Sequence, residues 1–202
     1  MEESELTKNV GSGSCYKPGS NLKDRNENIV TQLQTVPKIM KVQLHQIEQA
    51  VDFTMRVRRE VFPMMNHEQM PADLMQFREH YMETAGAVFL VAVTEEAGIV
   101  GSIGILPYDG RIQVIEGRYP EQTAAEIVKC YVDPAYRRYG IGSLLVKELE
   151  RVVREMPYST LYLHTHRFLP GAVDFWERQG FTIVTEEHNE WQIVHMEKPA
   201  EK

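Results

Sequence analysis

Residues 126–154 join a nearly unbroken apolar run, a basic bend containing glycine and a helical stripe, and few folds accept those pieces in that order. Ile127, Val128, Cys130, Tyr131 and Val132 are interrupted only by Lys129, the pattern of a strand covered on both faces. Asp133-Pro134 ends the run, because proline has no N–H to give a ladder. Arg137, Arg138, Tyr139, Gly140, Ile141 and Gly142 form the bend. Ile141, Leu144, Leu145, Leu149, Val152 and Val153 then recur mostly three or four apart, which is one face of a helix.

Such a bend suits an anion. A helix start leaves backbone N–H groups without partners, and the aligned peptide dipoles make that end partly positive. Glycine lets a phosphate approach without a Cβ in the way, and two arginines add forked donors. The ligand implied is a phosphate ester, with a pyrophosphate spread over several amides. The spacing is neither GxGxxG nor GxxxxGK[ST]; it is Arg137-x-x-Gly140-x-Gly142 after Val132-Asp-Pro.

At these residues the chain resembles the GCN5-related N-acetyltransferases, the GNAT superfamily. That family's signature is Arg/Gln-x-x-Gly-x-Gly/Ala after a V-x-P-x-Y-R strand end, and Val132-Asp133-Pro134-Ala135-Tyr136-Arg137 fits it without a gap. The resemblance implies acetyl-CoA as cosubstrate. Amides from Arg138 through Tyr139, Gly140, Ile141 and Gly142 to Ser143 would hold the pyrophosphate beside Arg137, and those of Tyr131 and Val132 the pantetheine arm. An ordinary strand–turn–helix crossover is the plainer alternative, and the complete strand, bend and helix weigh against it.

The 202 residues are enough for one domain with a real core, and 43% hydrophobic with 25% charged is a globular balance. A net charge of −7 argues against general nucleic-acid binding. It suits a cationic substrate mildly, or merely solubility. No apolar run approaches a membrane span, and Met1 to Lys8 has no secretory h-region. Cys15 and Cys130 make neither a disulfide framework nor a zinc cluster, so a cytoplasmic protein without a metal is expected. Residues 1–35 lack periodicity and read as a flexible N-terminal arm, with residues 36–202 as the acetyl-CoA-binding domain.

In order, the pattern predicts a strand from Lys38, a helix from His45 to Phe62, and a methionine-rich loop. A second helix is expected over Ala72 to Thr84, then a hairpin of Ala87 to Val93 with Ile99 to Leu106. Arg111 to Gly117 reads as an edge strand or a loop. After the central strand and helix come a strand at Thr160 to Thr165, a helix at Ala172 to Gln179 stopped by Gly180, and a closing strand pair. This is an α/β class with a mixed sheet. The order is similar to the GNAT order over about Val36 to Pro199. The resemblance implies a single-domain, mostly antiparallel sheet with a central splayed parallel strand pair and helices on both faces. The splayed strands would end at Val132 and near Thr165.

Acetyl transfer to an amine needs a base, an oxyanion donor and a fate for the thiolate. Glu126, taken as the start of the central strand, is the candidate base, as GNAT enzymes often carry a glutamate there; a salt-bridged strand-end carboxylate is the alternative. Glu116, Glu121 and His166 are spare candidates. The oxyanion donor would be the N–H of Tyr131 or Val132. Where the family commonly has a tyrosine near the sulfur, this chain has Trp176, whose indole N–H donates a hydrogen bond but gives up no proton near neutral pH. Tyr139, Tyr162, His164 and His166 are replacements in principle, or no acid is needed. Trp176 could orient the sulfur or simply fill the core.

The resemblance therefore implies an N-acetyltransferase that moves acetyl from acetyl-CoA to a primary amine by direct attack. An acyl-CoA-binding module of the same fold with weak or no transfer is the alternative, and an unrelated phosphate-binding α/β domain a more remote one. Small amines and peptide amines are both open as acceptors, and so is a homodimer.

Overall fold

The computed structural model describes residues 36–202, so the expected N-terminal arm lies outside the described residues. Within them the strands are β1 (Lys38–Lys41), β2 (Val88–Thr94), β3 (Gly98–Pro107), β4 (Ala124–Val132), β5 (Thr160–His166), β6 (Thr182–Glu186) and β7 (Ile193–Pro199). They form one sheet in the order β1-β2-β3-β4-β5-β7-β6. Every neighbouring pair is antiparallel except β4 and β5, which run parallel.

Both faces of the central strands are covered, which is why their sequences read as continuous apolar runs. On one face Phe89 and Val91 of β2 pack against α1 (Ile47–Val61) and α2 (Ala72–Met75) through Ala50, Val51, Met55 and Leu74. On the other, Leu90, Ala92, Ile103, Ile105 and Ile127 pack against α3 (Ile141–Val153) and α4 (Ala172–Arg178). Leu145 and Leu149 of α3, both fully buried, are the residues that the helical stripe assigns to the core. A Cβ at Gly101 of β3 would sit 3.0 Å from Leu145 and 3.1 Å from Ile141, so glycine there lets the start of α3 lie close on the sheet.

Two expectations change, and one open alternative resolves. The second helix is not continuous: α2 stops at Gln76, whose φ of −107° and ψ of 41° leave the helical region, and a π-turn follows over Glu79–Glu83. That turn carries Tyr81 into the core, where its hydroxyl donates to Asp73. Residues 111–117 resolve as a loop with a 3-10 turn at Gln113–Ile115. The central strand begins at Ala124, so Glu126 is not its first residue; it lies inside the ladder, opposite Leu106 on β3 and Tyr162 on β5. No helix among the described residues is long and apolar enough to cross a membrane.

Candidate active site

The parallel pairing of β4 with β5 covers only Ala124 to Ile127 against Thr160 to Leu163. Both strands continue, to Val132 and His166, without pairing to each other. The parting follows a β-bulge in β4: Val128 pairs with Gly104 and Tyr131 with Ser102, so β4 carries one residue more than β3 between those pairs. Lys129 absorbs it with φ 53°, and its carbonyl accepts a bond of 2.9 Å from Ser102 Oγ. The Lys129 ammonium is 2.8 Å from Asp73 Oδ2, which also accepts the Tyr81 hydroxyl. Burial raises Asp73, but Lys129, with the Tyr81 hydroxyl and His80, outweighs it and holds the carboxyl below its ordinary range. A glycine-like backbone position is thus occupied by lysine and tied to α2 by charge.

The ladder phase decides which β4 amides face the gap. Asp133 N–H donates to Val100 O at 2.9 Å, so the Tyr131–Ser102 pair, one repeat earlier, also bonds inward to β3. Val132 alternates with it and turns its N–H and C=O away from β3, into the opening. The Val132 carbonyl accepts Arg137 Nε at 3.1 Å. Of the two amides singled out in the sequence, Val132 faces the gap and Tyr131 does not. The Tyr131 side chain lies on the α1 face, its phenol pushed up to about 12 by burial against the opposing charge of Arg58. Cys130 is likewise pushed up to about 12 by burial, so it is a thiol rather than a thiolate.

At the end of β4, Asp133 accepts Ala135 N–H at 2.9 Å and Arg56 of α1 at 2.7 Å, fixing the exit of the chain. Arg138 (φ 67°) and Gly140 (φ 79°) both take left-handed conformations and turn the backbone into α3. The first N–H of this segment to find an acceptor is that of Leu144, which donates to Gly140 O at 3.0 Å. Every backbone N–H from Arg138 to Ser143 is without an acceptor among the described residues. Ile141 is the apolar exception in the bend because its side chain is buried while its amide stays open. Gly142 serves packing as well: a Cβ there would sit 3.2 Å from the Phe175 ring of α4. The side chain of Ser143 accepts Gln179 Nε2 at 3.1 Å, and Arg138 is exposed.

Beside the gap, on the α1 face, lies a polar cluster. Glu126 is 1% exposed, and Arg111 Nη2 stands 2.8 Å from Oε1 and 2.7 Å from Oε2. His164 Nδ1 is 3.4 Å from Oε1. Burial raises the Glu126 carboxyl, but His164 and Arg111 together outweigh it and hold the group below its ordinary range. Next to it Tyr162 donates to His195 Nδ1 at 2.7 Å, and His195 Nε2–H donates to Glu187 at 2.9 Å. His166 shares the face of His164; its Nδ1–H donates to Trp191 O at 2.7 Å, and burial lowers its pKa. Its ring lies among Phe62, Phe168 and Trp191.

Glu126 and His166 lie on the α1 face, Val132 and the bend lie at the end of β4 where the chain turns into α3, and Trp176 lies in the core. That indole is 6% exposed, between Phe175 and Phe181 with ring centroids at 5.0 and 5.2 Å. Sequence reasoning did not find Arg111, Asp73 or Lys129. Among the described residues no group of three His, Cys, Asp or Glu stands close enough to hold a metal ion.

The model of the acetyltransferase (GNAT) family matches residues 51–181. Human N-acetyltransferase 8 is 28% identical over 109 residues, 54% of this chain and 44% of that protein. The chain spans about half the length of the curated relatives it matches. Among solved structures, a GNAT-family acetyltransferase from Staphylococcus aureus superposes with a TM-score of 0.66 at 19% identity, over 82% of this chain and 99% of that one. PaiA N-acetyltransferase from Thermoplasma acidophilum, solved with coenzyme A, gives 0.59 at 16% identity over 82% and 99%.

Proposed function

The chain belongs to the acetyltransferase (GNAT) family, and from that premise we propose that it transfers the acetyl group of acetyl-CoA to a primary amine by direct attack within a ternary complex. One observation carries this reading: a run of unaccepted amides, Arg138 to Ser143, stands where β4 and β5 have parted. Backbone N–H groups at a helix start suit a pyrophosphate, and the exposed guanidinium groups of Arg137 and Arg138 add charge. Tyr139, Gly140, Ile141, Gly142 and Ser143 contribute amides. The gap has the extended, half-buried character that a pantetheine arm needs, and the amide of Val132 is the donor for the thioester oxygen.

The reaction needs no covalent enzyme intermediate. The amine lone pair attacks the thioester carbonyl, the oxygen gains charge against the Val132 N–H, and the C–S bond breaks to release the thiol. Tyr131, whose N–H bonds to β3, is not the amide donor in this reading.

The test is release of free thiol from acetyl-CoA over a panel of an amino acid, a diamine, an arylethylamine and a peptide. Transfer to at least one amine supports the reading. Binding of coenzyme A without thiol release favours a binding module instead, and absence of binding removes both.

A further inference from the structure

The sequence points to Glu126 as the base, yet its carboxylate is sealed at 1% exposure with both oxygens engaged by Arg111. A buried anion held below its ordinary range is a poor proton acceptor and is out of reach of an incoming amine. His164 is different. It is the first residue of β5 beyond the last pair with β4, Ile127–Leu163, so it stands where the strands part. Its side chain is 36% exposed. Its Nδ1 faces Glu126, and a proton held there leaves the lone pair on Nε2.

Resting on the acetyltransferase reading, we propose that His164 takes the proton from the acceptor amine, with Glu126, anchored by Arg111, as the fixed counter-charge beneath it. The N–C bond forms from the amine lone pair, and the C–S pair leaves with sulfur. One amine proton passes to Nε2 of His164. The imidazolium then returns it to the sulfur, so amine plus thioester becomes amide plus thiol and the histidine is neutral again. This also supplies the acid that Trp176 does not. Around His164 stand Glu126 on β4, Arg111 in the loop before it, His166 on its own strand and His195 on β7, the two histidine rings each 6.3 Å away. His166 is not equivalent: its Nδ1–H is spent on a carbonyl, no anion among the described residues is paired with it, and burial disfavours its charged form.

The experiment measures thiol release with acetyl-CoA and the best amine of the panel, for the wild type, His164→Ala, His166→Ala and Glu126→Gln, with acetyl-CoA affinity by calorimetry. The expected result for His164→Ala is a fall in kcat of about 10²-fold or more with cofactor affinity kept, and partial recovery on adding free imidazole. Imidazole should not restore His166→Ala. Glu126→Gln, acting through His164, should lower kcat with KM little changed. An active wild type whose His164→Ala variant keeps its kcat within a few-fold, or gains nothing from imidazole, overturns the role of His164 alone. An inactive wild type overturns the transferase reading and this inference with it.

Discussion

Arg111 Nη2 lies 2.7 Å from Glu126 Oε2 across a boundary: the carboxylate is 1% exposed and the guanidinium side chain 49%. The loop before β4 thus reaches in to neutralise an anion the sheet has already buried. Removing the arginine leaves that anion unpaired. Arg111→Ala should destabilise the fold by about 3 kcal/mol, at the lower end for a broken buried pair because the arginine is half in water. Urea unfolding of both proteins checks this.

The same pair fixes a pH dependence. Burial raises Glu126, yet His164 and Arg111 hold its folded pKa below the ordinary 4.5. The unfolded chain therefore binds this proton more readily. The stabilisation is complete above the unfolded pKa and is lost as the pH falls through the folded one. The stability difference between wild type and Glu126→Gln should be flat from neutral pH to about 5 and shrink below 4.5. Denaturation midpoints measured from pH 7 to pH 3 would show it.

Lys129 at φ 53° separates two effects of one side chain. Both Lys129→Ala and Lys129→Gly lose the ion pair with Asp73, but glycine adopts the left-handed backbone without steric cost. The glycine variant should be the more stable by about 1 kcal/mol, the reverse of their usual order in a strand. Chemical denaturation of the two variants side by side is sufficient.

What the sequence disclosed follows the range over which its signals act. The β4 run, the Asp133-Pro134 stop and the α3 stripe are local patterns, and each stands where the structure has it. The bulge is not legible because a lysine, not a glycine, occupies its left-handed position. Its support, Asp73, comes from a distant part of the chain. Glu126 reads in the sequence as a carboxylate near the cleft, but its role turns on strand β4 beginning at Ala124 and on Arg111, which only the folded chain brings beside it. Trp176 shows the converse: the helical pattern holds, and packing against Phe175 and Phe181 decides what the residue does.

The buried Tyr162–His195 bond offers a check on the cluster beside the gap. Tyr162→Phe keeps the ring and leaves His195 Nδ1, on a residue 1% exposed, without its donor. The expected loss is about 1–3 kcal/mol. A melting temperature unchanged from wild type would mean that His195 is satisfied in another way.

The central claim is that the amides from Arg138 to Ser143 receive the pyrophosphate of coenzyme A. Calorimetric titration of coenzyme A into the wild type and into Gly140→Asp, with the fold of each verified by circular dichroism, tests it most directly. The account predicts saturable binding to the wild type and none to the folded variant, whose carboxylate would occupy the bend and repel the phosphates. Equal binding by both proteins would contradict it.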